Sequence, residues 1–258
     1  MENLFSIKNK VILITGAGKG IGNLLASEMW KSFAIIYAID KIFSKNLNTK
    51  ENYYKINCDV TDRKKIFAIC KQIFEKHKRI DVLINNAGIT LPQHGKDYPY
   101  DKWEKTINVN LTGPFICSQA VTKFMKKQKF GSIINITSIN AELAFPNNPA
   151  YVASKGGLKM LGKAFAKDCG KYGIRVNNIG PGYIKTDMTM KSFLNKKMKK
   201  IREERTVLGR WGDVKDLIGP TIFLASDASK YITGQDIYVD GGWTINGLSE
   251  SLNLTIEE

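Results

Sequence analysis

Val11-Ile-Leu-Ile-Thr15, followed by Gly16-Ala-Gly18-Lys19-Gly20-Ile21-Gly22, is the stretch that decides how the chain folds. A short β-branched run ends on a glycine cluster, and a helical stretch follows from Ile21 to about Lys31. Strand, glycine turn and helix in that order form the first half of a βαβ unit. Glycines let the backbone turn tightly and approach a pyrophosphate, and the N-terminus of the helix offers free N–H groups and a positive dipole end. Gly16, Gly18, Lys19, Gly20, Ile21 and Gly22 are therefore candidate cofactor contacts. A glycine cluster alone is a weak signal, but this one sits at a strand–helix junction with an acid at the end of the next strand.

That acid is Asp40, which ends a second apolar run over residues 34–39. Its carboxylate can accept hydrogen bonds from the adenosine ribose, and its charge repels a 2′-phosphate. Lys19 and Lys41 pull the other way, toward the extra phosphate of NADP. Asp40 acts directly at the ribose, so NAD is the expected cofactor and NADP the alternative.

Further along, short apolar runs alternate with helical patterns. Strands are expected at 53–57, 82–85, 131–137, 175–179 and 236–239. Asp62 can cap a helix reaching His77, with Ile66, Ile69 and Ile73 on one face. Further helices are expected over about 100–127, 151–172 and 214–225. Apolar strands between helices predict an α/β fold: a single-domain Rossmann arrangement over 1–258, with a doubly wound seven-stranded parallel sheet and helices on both faces. The crossover at 41–52 is near the minimum for joining parallel strands, which predicts a short or irregular helix there.

Composition narrows the function. The chain has 258 residues, 43% of them hydrophobic, enough for one large α/β domain. No apolar run reaches the roughly 18 residues of a membrane span, and the N-terminus lacks the pattern of a secretory signal. We therefore expect a cytoplasmic protein with no membrane partner. The net charge of +15 comes from 39 basic and 24 acidic residues, but lysine is scattered. It suits steering of anions better than nucleic-acid binding, and no nucleic-acid partner is expected. The densest basic run, 196–205, contains two acids and reads as a solvated helix. Cys58, Cys70, Cys117 and Cys169 form no C-x-x-C pair, so free thiols and no metal site are expected. Only His77 and His94 are available to a Ser-His-Asp hydrolase, and neither has a suggestive context.

The reacting groups are sought in Tyr151-Val-Ala-Ser-Lys155. Spacing i, i+4 on a helix puts the phenol and the ammonium on one face. A free tyrosine titrates near about 10, and a neighbouring ammonium is expected to lower that value. Tyr151 could then exchange a proton with a carbonyl or alcohol oxygen during hydride transfer. Ser138 ends the fifth expected strand, where ligands bind in this architecture, and its hydroxyl can hold the substrate oxygen.

With these residues the chain resembles the short-chain dehydrogenase/reductase family along essentially its whole length. The resemblance rests on the glycine turn, Asp59-Val60, Asn85-Asn86-Ala87-Gly88, Asn110-Leu111-Thr112-Gly113, Ser138, Tyr151 to Lys155, Pro181-Gly182 with Thr186, and Asp240-Gly241-Gly242. It implies a catalytic tetrad of Asn110, Ser138, Tyr151 and Lys155, with Asn110 bending its helix and holding a water. It further implies cofactor contacts at Asp59, Val60, Asn86, Ala87, Gly88, Tyr151, Lys155, Pro181, Gly182, Ile184 and Thr186. The substrate cleft would lie between the turn after Ser138 and a lid at 187–205, with Ser138, Asn140, His94 and Tyr183 as candidate substrate contacts and Ile139, Phe145 and Asn147 also on the wall. A homotetramer or homodimer is implied. Residues 41–52 are fewer than usual, and a tail at 244–258 runs past the usual end.

The block from Leu208 to Asp227 is similar to gluconate 5-dehydrogenase-like and to 3-oxoacyl carrier-protein reductase-like members. The expected substrate is a secondary alcohol or ketone on a sugar, polyol or sugar acid. A 3-oxoacyl thioester is the alternative within the family. A non-catalytic nucleotide-sensing or nucleic-acid-binding protein is the alternative outside it, and the intact tetrad speaks against that.

Overall fold

The computed structural model describes residues 3–43, 51–93 and 97–247. Seven strands form one sheet: β1 Val11–Thr15, β2 Ile35–Asp40, β3 Tyr53–Asn57, β4 Val82–Asn85, β5 Gly131–Ile136, β6 Ile174–Pro181 and β7 Asp236–Val239. Their order is β3-β2-β1-β4-β5-β6-β7, and every neighbouring pair is parallel. The helices are α1 Gly20–Lys31, α2 Arg63–His77, α3 Tyr100–Ile107, α4 Gly113–Gln128, α5 Pro149–Cys169, α6 Met190–Leu194, α7 Lys196–Arg205 and α8 Ile218–Ala225.

The central strands are largely apolar because both faces of the sheet are covered. Alternate residues of β1 serve different cores. Val11 and Leu13 pack with Ile66, Ile69 and Ile73 of α2, Cys117 and Val121 of α4, and Ala166 of α5. Ile12 and Ile14 pack with Leu25 and Met29 of α1 and Leu224 of α8. The doubly wound parallel sheet expected from the sequence is the one observed.

Several boundaries differ from the sequence reading. The helix expected over 100–127 is interrupted by a π-turn at Asn108–Thr112, which carries the buried Asn110. The helix expected to run to Tyr172 ends at Cys169, and Gly173, at φ 73°, then turns the chain into β6. The helix expected from Val214 opens as a 3₁₀ turn, Val214–Leu217, capped by Asp213 and Asp216. The crossover helix expected between 41 and 52 falls largely on 44–50, outside the described residues, as do 248–258 of the tail.

One polar feature crosses the apolar sheet. Asn85, Asn135 and Asn178 lie opposite one another on β4, β5 and β6, and Asn178 lies opposite Asp236 on β7. Asn85 Nδ2 donates to Asn135 Oδ1 at 2.9 Å, Asn135 Nδ2 to Asn178 Oδ1 at 2.9 Å, and Asn178 Nδ2 to Asp236 Oδ1 at 2.7 Å. Gly162 of α5 leaves them room, since a Cβ there would collide with the Asn178 amide. Parallel strands in this register bring like residues side by side, so each buried amide satisfies the next. Asn135→Ala should remove two partners at once and cost about 2–4 kcal/mol, read by urea unfolding followed by circular dichroism. A loss below about 0.5 kcal/mol would show that the ladder is not needed for the sheet.

Candidate active site

Connections from β1 run outward through β2 to β3, then return to β4 on the other side of β1. The carboxyl ends of β1 and β4 therefore border the crevice where the winding reverses. The glycine turn leaves β1 and the Asn86-Ala87-Gly88 turn leaves β4. Asn86 Nδ2 joins them, donating to the carbonyls of Thr15 at 3.0 Å and Gly16 at 2.9 Å. Thr15 Oγ1 accepts from the backbone N–H of Asn86 at 3.1 Å and of Ala87 at 3.2 Å. Gly16 has φ 65°, and a Cβ there would stand 2.6 Å from Ala87 Cα. At Gly22 a Cβ would collide with the Gly16 carbonyl. These two glycines let the turn and the start of α1 close on each other.

A cavity of about 460 Å³ opens above the turn. Gly16, Lys19, Gly20, Ile21, Asp40, Lys41, Asp59, Val60, Asn86, Ala87 and Gly88 border it. So do Ser138, Tyr151, Lys155, Pro181, Gly182, Ile184 and Thr186 at its far end. Gly18 and Gly22 do not border it: Gly18 donates its N–H to Asp40 Oδ2 at 2.7 Å, and Gly22 packs beneath the turn. The cavity suits an extended dinucleotide. Helix α1 opens on it with no side-chain cap and no acid in its first turn, so its N–H groups and dipole are free for phosphate. Beside Gly20 there is open space, with no atom within 4 Å of where a Cβ would lie.

The end of the cavity bordered by Asp40 and Asp59 is acidic but partly compensated. Asp40 accepts from Gly18 N–H and, at 3.3 Å, from Ile42 N–H. Asp59 accepts from the Thr61 backbone and hydroxyl and, at 3.0 Å, from Lys41 Nζ. Burial alone would raise the Asp59 carboxyl, but those donors hold it below its ordinary value. Val60 is buried against Gly113 at the start of α4.

At the other end the four tetrad positions come together. Tyr151 and Lys155 share one face of α5, with the ammonium 5.7 Å from the phenol ring centre. Lys155 is buried and donates to the Ile136 carbonyl at 2.7 Å. Burial pushes its pKa down from 10.5 to about 8. The phenol moves opposite to the sequence expectation. Burial raises the Tyr151 pKa, a hydrogen bond with Ser138 opposes this, and the nearby Tyr183 reinforces it. Desolvation of the phenolate outweighs attraction by an ammonium whose own charge is costly to bury. Asn110 has no free amide group. Its Oδ1 accepts from Ile89 N–H at 2.8 Å, and its Nδ2 donates to Ile89 O at 2.9 Å and Ser154 Oγ at 3.1 Å.

Two residues escaped the sequence reading. Ser154 donates to the Tyr151 carbonyl at 2.8 Å and so ties Asn110 to the Tyr151 helix. Its position three residues after Tyr151, facing inward, was the available signal. Thr15, the last residue of β1, locks the turn after β4, and nothing local marks it.

The substrate candidates divide. Ser138 Oγ donates to Asn140 Oδ1 at 3.2 Å and accepts from Asn140 N–H at 3.1 Å, so Asn140 orients Ser138. Tyr183, between the cavity-bordering Gly182 and Ile184, packs in an aromatic wall with Phe145, Trp211 and Trp243, at ring-centre distances of 6.0, 5.4 and 4.7 Å. His94 lies outside the described residues. The expected lid is the pair α6 and α7, and the residues leading into it, Asp187 to Thr189, border the cavity.

Residues 16–244 match a family model described as enoyl-(acyl carrier protein) reductase. The chain is 37% identical over 256 residues to 5-keto-D-gluconate 5-reductase of Escherichia coli, covering 95% of this chain and 99% of the relative. It is 39% identical over 249 residues to a 3-oxoacyl-(acyl-carrier-protein) reductase of Thermotoga maritima, covering 93% and 99%. The crystal structure of a gluconate 5-dehydrogenase from Burkholderia cenocepacia in complex with NADP and tartrate superposes with a TM-score of 0.86 at 34% identity, covering 94% of this chain and 98% of that one. Sheet order, cavity and whole-length likeness agree: the chain belongs to the short-chain dehydrogenase/reductase family, and it is an NAD(P)-dependent oxidoreductase that interconverts a secondary alcohol and a ketone.

Proposed function

We propose that the protein oxidises or reduces a sugar acid at a secondary carbinol, with Tyr151 exchanging the proton at the substrate oxygen. The observation that carries this reading is the convergence of Ser138, Tyr151 and Lys155 on the far end of a cavity that starts at the glycine turn. When bound there, a nicotinamide dinucleotide supplies or accepts the hydride. The turn residues Gly16, Lys19, Gly20 and Ile21 would lie along its pyrophosphate, with Gly18 and Gly22 shaping the turn. Asp40, Asp59 and Val60 would border the adenosine, and Asn86, Ala87 and Gly88 would pass beside it. Pro181, Gly182, Ile184 and Thr186 would border the nicotinamide. Ser138, set by Asn140, hydrogen-bonds the substrate oxygen. Tyr151 donates its proton to that oxygen in reduction and accepts one in oxidation. Lys155 stabilises charge on the phenol and is held by Ile136 O, while Asn110 fixes the helix that carries both.

The 5-keto-D-gluconate 5-reductase and gluconate 5-dehydrogenase relatives support a sugar-acid substrate. The Thermotoga maritima relative supports 3-oxoacyl thioester reduction as the second reading. We propose NAD as the preferred cofactor. Asp40 borders the cavity, and Lys41, which could welcome a 2′-phosphate, is engaged with Asp59. The NADP bound by the Burkholderia cenocepacia relative argues for NADP as the alternative. We also propose a homotetramer or homodimer in the cytoplasm. Phe115 of α4 and Met160 of α5 are 40% and 60% exposed on faces turned away from the sheet, and four free cysteines are buried.

Tyr151→Phe should lower turnover by about 10²–10⁴-fold while leaving cofactor affinity within a few fold. Retained turnover would remove Tyr151 from the chemistry. In the same assay, reductive kcat/KM should be level at neutral pH and fall as pH rises through about 8, where the buried Lys155 gives up its proton; a profile that is flat to pH 10 would contradict that role. Asp40→Asn keeps the acceptor for Gly18 N–H but removes the charge, and should shift the NADP-to-NAD ratio of kcat/KM upward by about tenfold. No shift would remove Asp40 from cofactor choice. Sedimentation velocity at micromolar protein should give a dimer or larger, and Met160→Glu should weaken it; a monomer would contradict the assembly.

A further inference from the structure

The lid helix carries two arginines without a counter-charge. Both acids of α7 are engaged elsewhere: Glu203 pairs with Lys199 and Glu204 with Lys200, each at 3.6 Å. Arg202 and Arg205, one turn apart, form no ion pair among the described residues. Each lies instead against an aromatic ring. The Arg202 guanidinium carbon is 4.1 Å from the centre of Tyr183 and 5.4 Å from that of Trp211. The Arg205 guanidinium carbon is 4.8 Å from the centre of Trp243. Tyr183 and Trp243 are themselves 4.7 Å apart, so the two guanidinium groups stand on adjacent rings of one wall.

Aromatic faces attract cations but do not neutralise them. Like charges three residues apart on a helix repel. A pair of arginines left uncompensated while neighbouring lysines take the helix's own acids is an arrangement suited to an incoming anion. The planar guanidinium matches a carboxylate through two parallel hydrogen bonds. Location adds a distance. Tyr183 lies between Gly182 and Ile184, which border the same cavity as Tyr151, and Arg202 lies over the Tyr183 ring. The guanidinium is therefore one aromatic side chain beyond the reacting oxygen.

We propose that Arg202, with Arg205 beside it, binds the carboxylate of the substrate and so sets its class: a polyhydroxy acid whose reacting carbinol lies several carbons from the acid group. With the Tyr183 ring between the cavity and Arg202, a short 2-hydroxy acid, with carboxylate and carbinol on adjacent carbons, is expected to be a poor substrate. The inference rests on the reading of Tyr151 as the group that exchanges a proton with a secondary alcohol or ketone. It adds a specificity determinant to that reading, since a neutral polyol or an oxoacyl thioester offers the lid no carboxylate.

The test compares wild type with Arg202→Gln, Arg202→Lys and the double variant Arg202→Gln/Arg205→Gln. Each is assayed with a six-carbon aldonate or its keto form, with sorbitol as a neutral polyol of the same length, and with lactate. Arg202→Gln should raise KM for the six-carbon acid by about thirtyfold with kcat within about threefold. The polyol should lose far less, so acid-over-polyol discrimination falls by about tenfold or more. Arg202→Lys should recover part of the loss, the double variant should lose more, and lactate should be a poor substrate throughout. Unchanged cofactor affinity and melting temperature separate a binding loss from a folding loss; if the glutamine variant does not fold, Arg202→Lys carries the comparison. Equal losses for acid and polyol would make the arginines braces of the lid and overturn the proposal, as would no loss for either. If sorbitol is too slow to measure, the KM rise on the acid at constant kcat decides alone. A wild-type protein that turns over an oxoacyl thioester but no acid overturns the carboxylate site while leaving Tyr151 in place. One that turns over no alcohol or ketone at all overturns the reading beneath it.

Discussion

The side-chain amide of Asn86 holds the carbonyls of Thr15 and Gly16, and everything at the cofactor end depends on that clamp. The two turns it joins leave strands that are neighbours in the sheet but far apart in sequence. The clamp adds to the bonds from Gly18 N–H to Asp40 and from Ala17 N–H to Ile39 O in fixing a glycine turn, which loses more freedom on ordering than other sequences do. With it, the free N–H groups of α1 face a defined crevice. Thr15 completes the clamp from the other direction by accepting the N–H groups of Asn86 and Ala87. The glycine turn is thus held by a second loop that it holds in return, rather than standing as one motif.

The reacting end is organised around a cost. Lys155 is buried and, among the described residues, has no carboxylate partner within hydrogen-bond reach and donates to the Ile136 carbonyl. Its depressed pKa means that the unfolded chain binds more protons than the folded one between about pH 8 and the ordinary lysine value near 10.5. Stability therefore rises with pH across that window, and below it the full cost of the buried ammonium is present. A fold that retains such a group uses it. The same burial raises Tyr151, so the two groups are poised in opposite directions, and Ser138 is the neighbour that opposes the rise. Asn110 and Ser154 contribute rigidity: a side chain fully satisfied by Ile89 and Ser154 cannot drift, and it sits in the one π-turn that interrupts the α3–α4 stretch.

The aromatic wall is built from elements that carry none of these groups. The wall of Tyr183, Phe145, Trp211 and Trp243 comes from four separate loops, and α7 is laid on it by Trp211 and the two arginines. Relatives of similar identity bear names for sugar-acid and for oxoacyl chemistry. That spread is what a shared reaction centre with a separately built wall produces.

The sequence by itself determined the sheet, the glycine turn and the pairing of Tyr151 with Lys155 on one helix face, because those depend on local pattern. Strand-sized apolar runs report burial on both faces, Asp62 caps its helix as its spacing requires, and i, i+4 spacing places Tyr151 against Lys155 on any helix. What it missed depends on residues distant in the chain. The π-turn at Asn108–Thr112 arises where Asn110 meets the Ile89 backbone. The raised pKa of Tyr151 follows from burial, which a spacing rule cannot weigh against a nearby charge. Asp40 was readable as an acid at a strand end, but its hydrogen bond to Gly18 was not. Arg202 looked like part of a solvated basic run. Only the tertiary structure, by laying α7 across Tyr183 and engaging the helix's acids with its lysines, turned that residue inward and left its charge unanswered.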